Sequence, residues 1–457
     1  MPLPVSHHGF ILGRSRVIIR LREGAPVPYE NDVGRYLQLL DPGGPTAGFF
    51  GRFPGVRVSR LFPRTEQQLV DLVKGGRWEV GVTRPRLHSY FSVDLPPFSD
   101  PTRAAADLRK WPSVEYAYVE PLLGRPPSAA PDFENQQRYR GPAKDGIEVA
   151  DAWSHGGDGT NVALVDIERG WSLSHPDLKP GIMLVSGGNE KEFADHGTAT
   201  LGVVVGLDNG EWGVGIVPNA RSVMVVGQRS AEVDSAGNEV FSDLPLATAI
   251  VSAIYAPGLE RGDVVLLETQ VSARGQYNLP IEVDEASLQA LLTAAAYGLV
   301  VVEAAGNGSH DLDRIKNEAG VFVLSRSAGA IDSGAIMVAA AEPIHPRGRK
   351  NASNYGSRID LHAWGDQVAT ITTKRDGTTP SWTQGWNGTS SASAIVAGAA
   401  LAVQSMLKAN GRSALEPRQL RDLLVQTGTR PTAQGTDPER IGSMPNLKNV
   451  AATLGIS

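Results

Sequence analysis

Beyond residue 160 the chain repeats one pattern: a short run that is apolar throughout, then a stretch with helical spacing. The apolar runs are Val162 to Val165, Ser222 to Val226, Val264 to Leu267, Leu299 to Val302 and Ala335 to Ala339. Helical periodicity lies between them, as in Pro245 to Tyr255 and Glu285 to Tyr297. A strand without a polar face is buried on both sides, so the pattern predicts an α/β domain whose mostly parallel sheet is covered by helices.

The first part of the chain alternates instead. Arg16 to Leu21, Val56 to Phe62 and Leu87 to Leu95 have period-two patterning with β-branched or aromatic enrichment, and Val114 to Val119 forms a fourth run. Helical spacing of Leu and Ala falls at Thr65 to Lys74 and at Asp100 to Lys110, the second opened by Asp then Pro, a helix start signal. Two helices among four strands predict a small α+β domain of the ferredoxin-like kind. Leu122 to Ala143 is rich in Pro, Gly and polar residues without periodicity, which reads as an exposed linker. The expected organisation is a domain over 1–124, a linker over 125–144 and a larger domain over 145–457. No internal repeat or low-complexity tract is visible.

Composition narrows the function. With 457 residues, 41% hydrophobic and 20% charged, the chain can bury a substantial core. It has no cysteine, which excludes disulfides, thiolate catalysis and cysteine-bound zinc. The longest wholly apolar run, Ala394 to Val403, is far below the ~20 residues of a membrane-spanning helix. Met1 to Phe10 lacks a basic segment followed by an apolar one, so a cytoplasmic location is expected, with export by another route left open. Residues 1–125 carry a net charge of +5 and the remainder −11, so the two parts should attract. A basic domain set against an acidic one argues for docking rather than nucleic-acid binding. No membrane partner and no second copy of the chain are expected.

Three segments place a reactive side chain at a strand end or helix start, where α/β sheets build their sites. Asp166 ends the run NVALVD, His196 opens HGTATLGVVVG, and Ser390 lies in NGTSSASAIVAGAALAV at the start of a small-residue helix. The dipole of that helix favours a developing anion. A fourth residue, Asn307 in LVVVEAAGNGS, presents an amide able to donate to an oxyanion. Singly, each has an ordinary explanation, since an Asp after a strand is commonly a turn former. Together, in the order Asp, His, Asn, Ser, they form the parts of a nucleophilic serine site.

With these motifs, residues ~145 to 430 resemble the subtilisin-like (S8, subtilase) serine peptidases, through VALVDIERGWSLSHPDL, DHGTATLGVVVG, VVEAAGNGS, ASNYGSRIDLHAWG and NGTSSASAIVAGAA. The resemblance implies a subtilisin-like fold and an endopeptidase working through an acyl-enzyme. It implies Asp166 as orienting carboxylate, His196 as base then acid, Ser390 as nucleophile, and Asn307 as oxyanion donor beside the Ser390 N–H. It also implies that Glu268, Thr269, Ala304, Ala305 and Gly306 line the substrate. The first ~125 residues, ending WPSVEYAYVEP, resemble that family's I9-type propeptide, which would make them an intramolecular chaperone and inhibitor. No cofactor is required for catalysis. A structural Ca²⁺ is implied at LDNGEWGVGIVP, held by the Leu207, Glu211 and Gly213 carbonyls, the Asn209 amide oxygen and the Asp177 carboxylate.

Departures from the family pattern are local. The family has Ser or Thr then Gly after its catalytic Asp, whereas here Ile167, Glu168 and Arg169 stand between Asp166 and Gly170. VVLLETQ replaces a strand that typically ends Ser-Leu-Gly, so Glu268 either faces substrate and selects a basic side chain or is an exposed edge-strand carboxylate. Asp311 and Asp313 offer a second route to a basic preference. Two other functions stay open: a catalytically silent binding protein on the same fold, and a peptide acyl transferase or macrocyclase in which an amine resolves the acyl-enzyme.

Overall fold

The computed structural model describes residues 16–40, 45–75, 84–96, 99–120, 130–233, 239–273, 275–316, 320–326 and 330–456. The chain divides into two compact units, Met1–Pro127 and Ser128–Ser457. In the first, strands β1 (Arg16–Leu21), β2 (Arg57–Arg60), β3 (Tyr90–Asp94) and β4 (Val114–Val119) form an antiparallel sheet in the order β2-β3-β1-β4. That is the strand order of the split βαβ fold the alternating pattern predicts. Helices α3 (Glu66–Gly75) and α4 (Pro101–Leu108) fall where Leu and Ala spacing puts them. Asp100 caps α4 by accepting from the Thr102 and Arg103 N–H groups, with Pro101 in the first turn. Two helices without a sequence signal, α1 (Gly34–Leu40) and α2 (Pro45–Arg52), precede β2. Phe49 on α2 is buried against Trp111, the ring centroids 5.2 Å apart and edge to face.

The second unit starts earlier than the linker reading placed it. Residues 121–129 of that segment lie outside the described residues. After them, Phe133 and Tyr139 are buried in the core of the second unit, and Phe133 stacks on Trp382 at 4.9 Å. The Gln137 amide donates to the Tyr139 hydroxyl, and its oxygen accepts from the Val214 N–H. The stretch is loop by composition yet core by packing, because two aromatic rings are enough to anchor it.

Around this anchor run α5 (Val149–Ser154), β5 (Ala163–Glu168), β6 (Met183–Ser186), α6 (Ala194–Val205) and β7 (Ser222–Gly227). Next come the hairpin β8–β9 (Arg229–Val233, Glu239–Asp243), α7 (Leu246–Ile254), β10 (Val264–Leu267) and a short pair β11–β12 (Val271–Ala273, Gln276–Leu279). The chain continues through α8 (Glu285–Ala296), β13 (Val300–Ala304), β14 (Ile336–Ala341) and β15 (Leu361–Trp364). The hairpin β16–β17 (Val368–Thr373, Pro380–Trp386) and helices α9 (Thr389–Ala409), α10 (Pro417–Thr427) and α11 (Leu447–Leu454) complete it. Seven strands make one parallel sheet, ordered β15-β14-β13-β10-β5-β7-β6. All five apolar runs are strands of it, so the α/β reading stands.

Side chains alternate between the faces of a strand, and the two faces of β5 are distinct. Ala163, Val165 and Ile167 pack with α7 and α8, whereas Leu164 packs with α6 and α9. Asp166 and Glu168 share the face of Leu164. In β10, Leu266 belongs to that face too, and the residue two further on is Glu268. The sheet thus delivers three carboxyl groups towards α6 and α9. Helix α9 is 21 residues long and apolar, but it is a core helix, 94% buried in its most apolar window.

Candidate active site

His196 is the third residue of α6, directly opposite the end of β5. Its Nδ1 lies 2.6 Å from Glu168 Oε1, and Thr200, one turn along α6, donates to the same oxygen at 3.0 Å. Asp166, the residue expected to orient the imidazole, does something else. Its Oδ2 accepts from Trp171 Nε1 at 2.7 Å, while Oδ1 is buried without a hydrogen-bond partner among the described residues. One pleat of the strand separates the two positions, about 6.6 Å, and only the outer one reaches a side chain at the helix start. The sequence does hold the signal: Gly170 stands two residues after Glu168, the spacing the family keeps after its carboxylate.

The loop leaving β5 is held by close backbone contact. A Cβ on Gly197 would sit 2.3 Å from the Gly170 carbonyl oxygen and 2.6 Å from the Trp171 ring. Glycine therefore lets α6 approach the loop. Arg169 turns outward, pairing with Glu190 at 2.7 Å and lying over the Phe193 ring. On its open side the His196 ring meets Trp386 edge to face, with centroids 5.8 Å apart.

Ser390 is in the first turn of α9. Gly388 precedes that helix at φ +91°, a left-handed value that favours glycine, and its N–H donates to the Gly365 carbonyl. The first N–H groups of a helix lack internal partners. Asn307 Oδ1 accepts one of them, the Thr389 N–H, at 3.0 Å. This fixes the amide so that its Nδ2 faces Gln270 Oε1, 3.5 Å away, across a small cavity. The cavity, about 120 Å³, is lined by His196, Glu268, Thr269, Gln270, Ala304, Asn307, Thr389 and Ser390. Residues from four distant segments meet there.

Of the five residues that the resemblance places along the substrate, Glu268, Thr269 and Ala304 line the cavity. Ala305 and Gly306 do not; both are buried behind it, where Asn354 Nδ2 donates to the Ala305 carbonyl. Gln270 and Thr389 are lining residues the sequence reading missed. Glu268 is 8% exposed and follows a central strand, which removes the edge-strand alternative. Its Oε1 accepts from Ser393 Oγ at 2.6 Å, and its Oε2 is buried without a hydrogen-bond partner among the described residues. Asp311 and Asp313 are committed elsewhere, both paired with Arg440.

Three carboxyl groups around one imidazole shape its protonation. Desolvation pulls His196 down, but the charges of Glu168, Glu268 and Asp166 outweigh it and raise the group to about 9. Burial, then the charge of Glu168, pushes Glu268 up to about 8 against the opposing effects of His196, Ser393 and Ser390. The same two causes hold Asp166 well above the usual carboxylate range.

The loop after α6 does not fit the implied calcium ion. Asp177 Oδ2 is buried without a hydrogen-bond partner among the described residues, a feature that asks for a cation. However, Asn209 turns its Nδ2, not its oxygen, to Asp177 Oδ1 at 3.0 Å, and its oxygen accepts from the Glu211 N–H. The Gly213 N–H also approaches the carboxylate. N–H donors converge where a hard cation needs oxygens.

Residues 157–443 match the model of the subtilase family, Peptidase_S8. The chain belongs to the subtilase family. It is accordingly a serine peptidase in the general sense, a hydrolase of the subtilisin-like group. Subtilisin NAT of Bacillus subtilis subsp. natto is 26% identical over 333 residues, 72% of this chain and 73% of that protein. Among solved structures, a protease from Pseudoalteromonas arctica is 22% identical with a TM-score of 0.50, covering 71% of this chain and 99% of that one. Prenylagaramide maturation protease PagA is 18% identical with a TM-score of 0.50, covering 68% and 99%. These two likenesses concern the fold.

Proposed function

We propose that this subtilase is an endopeptidase with a Glu168–His196–Ser390 triad, not one built on Asp166. The observation that carries the reading is the 2.6 Å contact of Glu168 with His196 beside a cavity that also holds Ser390 and Asn307. Ser390 Oγ attacks the scissile carbonyl and its proton passes to His196 Nε2. Glu168 holds the ring through Nδ1–H and stabilises the imidazolium. The tetrahedral oxyanion accepts from Asn307 Nδ2 and the Ser390 N–H. His196 then protonates the leaving amine, and water resolves the acyl-enzyme by the same route in reverse. The silent-fold reading drew its support from the departures around Asp166, and a carboxylate on the imidazole removes that support.

The first unit is proposed to act as inhibitor and folding aid of the second. Its net charge of +5 over residues 1–125, against −11 for the rest, supplies an attraction. A fluorophosphonate probe applied to the full chain, and to the chain after limited proteolysis of the first unit, tests both parts. Labelling at Ser390 that increases after proteolysis is expected. Ser390→Ala should label nowhere while keeping its melting profile. Labelling at another serine, or none in either state, overturns the triad; equal labelling in both states overturns the inhibitor role.

A further inference from the structure

Glu268 has no part in the three-residue mechanism, yet its carboxyl group lies among the residues that perform it. It extends from the end of β10 onto the face shared with Asp166 and Glu168, and it forms part of the cavity wall beside Ser390 and His196. Ser393 connects it to the nucleophile's own helical turn. The Ser393 hydroxyl is 2.6 Å from Glu268 Oε1, 2.8 Å from the Thr389 carbonyl and 3.0 Å from the Ser390 carbonyl. One hydroxyl hydrogen serves one of these acceptors well at a time. When Glu268 is ionised, Ser393 donates to it. When Glu268 is protonated, the carboxyl can itself donate, and Ser393 is free to turn to the helix carbonyls. The second carboxyl oxygen, Oε2, is buried without a close partner among the described residues.

We propose that Glu268 is a positioning residue of the nucleophilic site: it braces the first turn of α9 through Ser393, and its own protonation decides at what pH His196 can take the Ser390 proton. The inference rests on the reading of Ser390 as nucleophile. The groups facing Glu268 are Asp166 and Glu168 from β5, His196 from α6, and the hydroxyls of Ser390 and Ser393 from α9. Glu303, on neighbouring β13, turns its carboxyl to the Ile281 N–H instead. Of these groups only His196 can carry positive charge. Burial and the charge of Glu168 hold the Glu268 proton to higher pH than a free carboxyl would, and once Glu268 is ionised its negative charge makes His196 keep its own proton to higher pH. An imidazolium cannot accept the Ser390 proton. The carboxyl therefore delays activation to alkaline pH, and a neutral isostere should release it.

The sign gives a direct test. In Glu268→Gln the amide oxygen still accepts from Ser393, but no charge can develop. The rate of Ser390 labelling by a fluorophosphonate should reach half its plateau about one pH unit or more below the wild-type value, the size of shift a nearby like charge imposes on a carboxyl group and, with opposite sign, on an imidazole. In parallel, the His196 ring proton is followed by NMR across pH ~6 to ~10, in wild type and in the variant, each carrying Ser390→Ala. The variant should titrate at lower pH. The Glu268-containing chain should depart from a single ionisation, because two coupled groups titrate together. An unmoved labelling midpoint with an unmoved His196 titration overturns the proposal. A single-step His196 curve in the Glu268-containing chain overturns it even if Glu268→Gln does not fold. If no serine labels at any pH while the His196 titration still shifts, it is the nucleophile reading that fails and the electrostatic role of Glu268 that stands.

Discussion

At residue 168 a glutamate makes the contact with the imidazole that the sequence pattern assigned to an aspartate two positions earlier. The difference is a matter of reach: Glu168 ends the strand and has one more methylene, whereas Asp166 is a pleat deeper and accepts from the Trp171 indole. Two isosteric variants separate the roles. Glu168→Gln removes the charge that balances the imidazolium and is expected to lower kcat by about 10³–10⁴, as loss of a triad carboxylate does elsewhere. Asp166→Asn should leave kcat within about threefold, since the amide oxygen can still accept from Trp171 and the imidazole's hydrogen-bond partner is Glu168. Peptide hydrolysis by the two purified variants decides it, and the reverse ranking would restore Asp166. The residue that contacts the imidazole was legible only through Gly170. Strand periodicity places 166 and 168 on one face and cannot choose between them.

Elements carry the site by approaching one another closely, as α6 does against the loop after β5. Gly197→Ala would drive a methyl group to 2.3 Å from the Gly170 carbonyl. Because that neighbour is backbone, relief requires moving α6, and a destabilisation of about 1–3 kcal/mol is expected, as for other overpacked positions. Since His196 rides on α6, hydrolysis should fall with stability. Denaturant melts with an unchanged m value would register the first effect, and an unaltered midpoint would show the contact to be slack. At this scale the sequence was informative where burial is two-sided: all five apolar runs became strands of the parallel sheet. It was silent on β6, whose residues are half-exposed, on the hairpins β8–β9 and β11–β12, held largely by pairing, and on β16–β17, whose first strand is buried in the core beside α6. It misjudged 130–144 because loop-like composition there hides Phe133 and Tyr139, two core anchors.

Across the whole molecule, ionisable groups whose proton affinity changes on folding make stability depend on pH in a direction that can be worked out. His196 near 9, Glu268 near 8 and Asp177 near 8 all hold protons more tightly when folded than their ordinary values of 6.5, 4.5 and 3.8 allow. For each, the folded chain binds more protons across that window, so stability falls as pH rises through it. His175 and His362 act in the opposite sense. Burial lowers them to about 4 and about 3, so their contribution is complete above 6.5 and is lost as pH falls towards those values. Below 6.5 the two sets oppose each other; above 6.5 only the first set titrates. From these groups stability should be nearly level between pH 4.5 and 6.5, where two raised carboxyl groups offset two lowered imidazoles, then fall most steeply from 6.5 to about 8 and more gently to about 9. Asp166 and Glu303, also held above the usual carboxylate range by burial, add to the decline, each excess proton contributing at most about 1.4 kcal/mol per pH unit. Melting temperatures of the Ser390→Ala chain, in which self-digestion cannot interfere, would trace the curve between about pH 5 and pH 9. Glu268→Gln in that background should flatten the descent between 6.5 and about 8. A melting temperature that climbs over the same alkaline range would mean that these carboxyl groups are ionised in the folded protein, and with it that the three-carboxyl arrangement around His196 is not what burial makes of it.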